Sequence, residues 1–210
     1  MTNQTATRAL LTLASLGALA SLLTYPWLPA LLPVHWNLRG QPDGFAPKSV
    51  AAFLGPLGVM VLLASMRVLP ALTPRVREFA EVYRYIFAVL GALFTHIHAI
   101  TLLSGLFPSE SFSRPLFAGL SVAMALLGNV LGKVKRNPWI GIRTPWTLAD
   151  ERVWERTHRR GARLIFAAGA FGAALALLGA PLEWGLILLL VAALEPALYS
   201  WLIRNEGGAR

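Results

Sequence analysis

The sequence contains no cysteine, so no disulfide braces its loops and no thiolate is available as nucleophile or metal ligand. Charge is scarce as well, at 14% of residues, and acids are the scarcer sign, with ten Asp and Glu against nineteen Lys and Arg. A soluble domain of average composition carries about 25% charged residues. Also missing are a nucleophile beside a base, a metal-ligand set, a phosphate-cradling glycine loop and an internal repeat. We therefore expect no enzyme activity, no catalytic residue, no metal and no cofactor.

What the chain has instead is apolar length. Its 210 residues are 56% hydrophobic, with a mean hydropathy of +0.58. A bilayer-crossing helix needs about 20 residues, and such runs can be drawn at Ala9–Trp27, Val50–Met66, Tyr85–Phe107, Pro115–Leu131, Ala162–Ala180 and Leu182–Ile203. The runs are continuous rather than alternating, which excludes barrel strands and predicts helices that satisfy their own backbone hydrogen bonds. The expected fold is an all-α, polytopic membrane bundle of about six helices in a single domain, 1–210. An alternative for the first run is a secretory signal ending in "ALA" at Ala18–Ala20. Apolar sequence continues past that point through Leu22, Leu23, Tyr25 and Trp27, which favours an uncleaved first span.

Cations are distributed unevenly along this frame. One precedes the first run, four lie between the second and third, nine between the fourth run and the start of the fifth, counting Arg163 just inside it, and two after the sixth; the alternate loops hold Arg39, Lys48 and Arg114. The positive-inside rule then predicts a cell-membrane protein with both termini and the loop 132–161 in the cytoplasm, and with 33–49 outside. Direct nucleic-acid binding is not expected, because these cations lie against the membrane on loops tied at both ends.

The outer stretch "PVHWNLRGQPDGFAPKS" is polar and rich in Gly and Pro. "QPDG" at Gln41–Gly44 reads as a turn, with Pro42 fixing φ and Gly44 supplying a positive φ. Around it stand His35, Trp36, Asn37, Arg39, Gly40, Asp43, Phe45 and Lys48, a set suited to gripping a peptide or a lipid headgroup. The alternative is a structured connector with Trp36 and Lys48 at the interface. His35 and Asp43 alone are too few to hold a metal.

The basic loop is denser in motif-forming residues. Asn137, Pro138 and Trp139 end the preceding helix; Gly141, Arg143, Thr144 and Pro145 form an extended segment; Trp146 follows. Thr147, with Asp150 three residues on, predicts an N-cap and a helix from Leu148. That helix runs through Val153, Trp154, Thr157 and His158 toward the fifth span, at headgroup level, with Trp139, Trp146 and Trp154 as anchors. Orientation and contact with anionic membrane lipid account for the cations, but not for the crowding of the other residues. Arg143, Thr144 and Trp146 are candidates for a cytoplasmic docking surface.

Within the bilayer lie His96, His98 and Glu195. Polar groups at that depth are functional candidates, and they motivate an alternative reading as a small proton-coupled transporter or permease. The two histidine rings stand about 200° apart on a helix, which is wrong for chelating one ion. Glu195 and His96 share a depth, so Glu195 is expected to bond His96, with His98 or a backbone carbonyl freed at Pro196 as the alternatives. Small residues recur at Gly128/Gly132 and at Ala168, Gly169, Gly172, Ala173 and Ala176, where helices can pack closely.

"LPVHWNLRGQPDGFAPKS", followed by Pro56, resembles a short amino-terminal domain of unknown function found in bacterial membrane proteins. "GNVLGKVKRNPWIGIRTPWTLADERVWERTHRRGARLI" resembles the SdpI-family signature, and "PALYSW" that family's last span. The resemblance implies a multi-pass immunity and signalling protein. On it, 9–69 is an amino-terminal helical hairpin around the outer loop, and 115–203 is the SdpI-like region. The outer loop would face an extracellular toxic peptide, and Asn137 to Arg159 a cytoplasmic repressor protein.

Overall fold

A computed structural model describes residues 1–37 and 41–205. Its long helices are α1 (Asn3–Thr24), α2 (Lys48–Leu72), α3 (Ala80–Leu106), α4 (Ser113–Leu131), α6 (Glu151–Leu177) and α7 (Leu182–Leu202), with a short α5 (Pro145–Ala149) between α4 and α6. All six long helices are apolar enough to cross a membrane. The chain is a multi-pass, all-α membrane protein.

One element was not anticipated. Strands β1 (Leu31–Trp36) and β2 (Pro42–Pro47) form an antiparallel pair between α1 and α2. In its register Pro42 faces Trp36, and Gly44 faces His35. This corrects the reading of Gln41–Gly44 as the turn: Pro42 to Gly44 lie within β2, and Gly44 does not take the positive φ expected of it. Asn37 and Gln41 pair across the start of the reversal, the Asn37 amide N–H donating to the Gln41 carbonyl at 2.9 Å. Arg39 and Gly40 lie outside the described residues.

The bundle has two packed groups. α1, α2 and α3 contact one another, α4 packs most extensively on α6, which also holds α7, and α3 meets α4 between the groups. The α4–α6 seam is close because of glycine. A methyl group on Gly169 would lie 2.6 Å from the Ser121 carbonyl oxygen, and one on Gly128 2.5 Å from the Phe166 nitrogen. Small residues here therefore bring backbones together in fixed packing. Near the α4 carboxy-terminal end, Val130, Val134 and Trp154 join a buried cluster with Leu10, Leu63, Tyr83 and Phe87, so the groups share one core.

The helix of the basic segment departs from expectation. Thr144, not Thr147, caps α5, in a capping box with Thr147. Asp150 then caps α6, its side chain accepting from the backbone N–H groups of Arg152 and Val153. Those two donors hold the Asp150 carboxyl below the usual carboxylate range, Val153 most strongly. From there α6 continues unbroken into the span for 27 residues, about 40 Å. The segment through Trp154 and His158 therefore forms the first turns of the fifth spanning helix, toward which it was expected to run, and that helix begins at Glu151. An apolar stripe explains the continuity: Val153, Trp154, Thr157, Gly161, Ile165, Ala168 and Gly172 all face inward.

Candidate functional site

The bundle has two polar ends. At the hairpin end, Leu32 is fully buried among Ala51, Ala52 and Leu102, fixing β1 to α2 and α3. Lys48 turns inward: its ammonium donates to the carbonyls of Leu28 (3.2 Å) and Tyr25 (3.4 Å) and lies 4.7 Å from the Tyr25 ring centroid. It ties the hairpin base to the end of α1. His35 and Asp43 bond each other across the strands at 2.5 Å, both partly exposed. Asn37 uses its side-chain oxygen on the Gln41 amide at 3.0 Å. Gly44 sits against the His35 side chain, where an added methyl would lie 2.8 Å from the His35 Cβ.

Beside the hairpin is a groove of about 590 Å³ that sequence reading missed in part. The predicted Trp36 and Pro42 line it together with Leu31, Pro33, Phe45 and the loop carrying Glu110 and Phe112. Phe107 to Phe112 carry no motif, and only their place in the fold brings them to the hairpin. Rings and prolines share the walls with Gln41, Ser104, Ser109, Ser111 and the Glu110 carboxylate, a surface whose rigid apolar parts take an extended guest at low entropic cost and whose polar groups can bond its backbone.

At the basic end, the motif residues largely face inward. Asn137 is 3% exposed. Its amide donates to the carbonyls of Lys135 and Ile140, and its oxygen accepts from Trp139 and Ile140, so every polar atom on it is used within the loop. Gly141 has φ +119°. Next to it the Ile142 N–H donates to His158 Nε2 at 3.0 Å, while His158 Nδ1 donates to the Trp154 carbonyl at 2.8 Å. These two bonds fix the neutral Nδ1–H tautomer. The His158 ring stacks on Trp154 at 3.9 Å, and the Trp154 indole donates to the Val134 carbonyl at 2.7 Å. Trp154, Thr157 and His158 are buried to 1% exposure or less, which corrects the reading of Trp154 as an interfacial anchor.

Thr147 is equally buried and donates to the Ile142 carbonyl, while the Thr144 hydroxyl meets Ser200 on α7 at 2.9 Å. Arg143 donates to the Pro138 carbonyl at 2.7 Å yet stays exposed, as do Pro145 and Arg159. The partner-facing set is thus divided. Asn137, Thr147, Trp154, Thr157 and His158 shape the loop from inside, and Arg143, Pro145, the half-buried Trp146 and Arg159 form its outer surface. Contacts outside the motif hold this loop to the first group: the Trp139 indole donates to Thr73 at 2.6 Å, and Glu151 meets Arg136 at 2.9 Å and Arg75 at 3.6 Å.

Residues 133–200, which contain this loop, α5, α6 and most of α7, match the SdpI/YfhL protein family. This stretch of the chain is similar to the SdpI/YfhL protein family. Residues 12–60, from α1 through the hairpin into α2, match the domain of unknown function DUF1648. Over 157 residues, 73% of each chain, the protein is 23% identical to the Immunity protein SdpI of Bacillus subtilis (strain 168). No solved structure matches it.

Inside the SdpI/YfhL region the expected Glu195–histidine pair is absent. Glu195 accepts from Arg160 of α6, whose Nε stands at 2.6 Å and Nη2 at 2.5 Å from the same oxygen. His96 bonds the Pro115 carbonyl at 3.0 Å. His98 lies 3.0 Å from the Ser21 hydroxyl and 3.2 Å from the Gly17 carbonyl. None of the three intramembrane groups bonds another, so the polar chain that motivated a proton-coupled carrier is not assembled. Among the described residues, no group of three His, Asp or Glu side chains is placed to hold a metal ion.

Proposed function

We propose that this protein is a membrane immunity and signalling protein that binds a toxic peptide at the hairpin-end groove, outside the cell, and offers the exposed side of its basic loop to a cytoplasmic repressor. The observation that supports it best is the groove between Trp36, Phe45 and Phe112, an apolar and aromatic surface on the end with few cations. The relative's name, an immunity protein, gives that surface its expected guest. Of the residues first singled out there, Trp36 and Pro42 would touch the peptide. His35, Asn37, Asp43, Gly44 and Lys48 would hold the hairpin in shape. On the other end Arg143, Pro145, Trp146 and Arg159 would meet the partner. Binding alone is required, with no bond made or broken in the guest.

Coupling needs an element that both ends touch. α3 packs on β1 near Gly105 and on the shared core through Tyr83 and Phe87. It would have to adopt two positions that guest and partner distinguish.

Expression in a sensitive host, challenged with membrane-active peptides from the producing organism, tests the reading. Trp36→Ala should weaken protection as expected for a central aromatic contact, about 2 kcal/mol or roughly thirtyfold in Kd, at unchanged abundance. Arg143→Ala should keep protection and lose recruitment of the partner. Protection that survives Trp36→Ala together with Phe112→Ala would overturn the groove as the peptide site.

The orientation has its own test. Single cysteines at Ser49 and Ala149 should react with an impermeant maleimide in intact cells at Ser49 only, because sixteen of nineteen cations lie on the end that carries Ala149. Labelling at Ala149 without labelling at Ser49 would invert the protein.

A further inference from the structure

Between α6 and α7, on the half of the bundle toward the basic end, is a cleft of about 490 Å³. Its walls are Leu164, Ala167, Phe171, Leu188 and Val191, and Arg160 and Glu195 close one end of it. From Arg160 to Phe171 is eleven residues, about 16 Å along the helix. That is close to one leaflet, half of a hydrocarbon core of about 30 Å.

The charge above the cleft is as ordered as its walls. Arg156, Arg160 and Arg163 recur at i, i+4 and i+7 on α6, and the same stripe continues as Leu164, Ala167 and Phe171. A cationic collar thus runs directly into an apolar channel. Glu195 offsets the charge of Arg160. It takes Nε and Nη2 of Arg160 on a single oxygen, which leaves Nη1 without a hydrogen bond to the described residues. Arg163 is exposed, and no ion pair or hydrogen bond joins it to the described residues. Arg160 also lies 4.6 Å from the Tyr199 ring centroid, which holds its side chain over the cleft end rather than letting it swing into water.

We infer that the α6–α7 cleft is a binding site for an anionic glycerophospholipid of the leaflet at the basic end, with one acyl chain between Phe171 and Val191 and the phosphate among Arg156, Arg160 and Arg163. Guanidinium groups match phosphate oxygens with several N–H donors, and basic pockets between spanning helices are suited to anionic headgroups. The exposed positive charge of Arg163 selects an anionic head over a zwitterionic one. The small side chain of Ala167 leaves the space that the acyl chain fills. The site does not depend on the peptide-binding reading, since it lies on another face of the bundle.

Native mass spectrometry of the purified full chain tests it, with dioleoyl phosphatidylglycerol and dioleoyl phosphatidylcholine as probes. One phosphatidylglycerol per chain should survive activation, retained about tenfold or more over phosphatidylcholine. Ala167→Phe fills the cleft and leaves every charge in place; it should remove that adduct. Arg163→Gln, on an exposed surface, should lower the preference severalfold, whereas Lys133→Gln with Lys135→Gln should leave it unchanged. Equal retention of the two lipids, or a preference that follows Lys133 and Lys135 and survives Ala167→Phe, would reduce the site to the general basic belt and overturn it. A dimer that Ala167→Phe dissociates would equally overturn it, by showing a second copy in the cleft.

Discussion

Gly141→Ala should leave little folded protein in the membrane. Gly141 holds φ +119°, a region that costs an L-residue about 1–2 kcal/mol, and the added methyl would sit on His158 Nε2 and 3.2 Å from the Trp154 ring. The histidine cannot yield, since it stacks on Trp154 and donates to the Trp154 carbonyl. Displacing it strands the Ile142 N–H, a further 1–3 kcal/mol or so. The total, about 3 kcal/mol or more, is a large part of a marginal stability. Size-exclusion chromatography of a fluorescent fusion should show loss of the monodisperse peak and a lower Tm in what remains. Gly132→Ala is the matched control, because its methyl would meet only ordinary contacts at 3.6–3.7 Å from Ala162 and Arg159. A Gly141→Ala protein with wild-type yield and Tm would mean that the loop repacks freely and that its buried motif is not what holds it.

That prediction turns on residues whose type was visible in the sequence but whose role was not. Asn137, Thr147, Trp154 and His158 stand in a loop so crowded with hydrogen-bonding groups that docking was the natural expectation, yet they spend those groups on the loop's own backbone. A single sequence cannot separate the two uses. The same side chain caps a turn or meets a partner according to which way it points. The spans were legible because an apolar run of bilayer length has few alternatives. The fifth apolar run starts only at Ala162 because Arg159, Arg160 and Arg163 lower the hydropathy there, while the inward stripe from Val153 to Gly172 carries the helix through at a period that hydropathy averaging hides.

The hairpin was missed for a different reason. Neither LLPVHW nor PDGFAP alternates cleanly, both contain proline, and β2 carries a glycine, all of which argue against strand. A two-stranded ribbon tolerates them because each strand has an unpaired edge, and because packing of Leu32 on α2 and α3 supplies what pairing alone does not. The groove beside it depended on Glu110 and Phe112, which lie more than sixty residues along the chain from the hairpin.

Glu195→Ala should lower the Tm, because Arg160 loses the carboxylate it donates to. The error in assigning Glu195 to His96 followed from placing Arg160 in a loop; once α6 is continuous, Arg160 comes level with Glu195 and supplies the partner. The pair itself is only half satisfied. One carboxylate oxygen takes two arginine nitrogens, and the other is buried without a partner. A pair in that state returns little beyond its own desolvation, so Arg160→Leu with Glu195→Leu should recover most of what either single change loses. Thermal unfolding in one detergent, measured as a double-mutant cycle, should show that the two substitutions couple rather than add. A double mutant as damaged as the sum of the singles would mean that the two side chains act separately. Glu195→Gln keeps an acceptor for Arg160 and should leave protection against the peptide near wild type, since it lies at the opposite end of α7 from the groove. Loss of protection in that variant at unchanged abundance would restore Glu195 as a functional group and, with it, the case for a carrier.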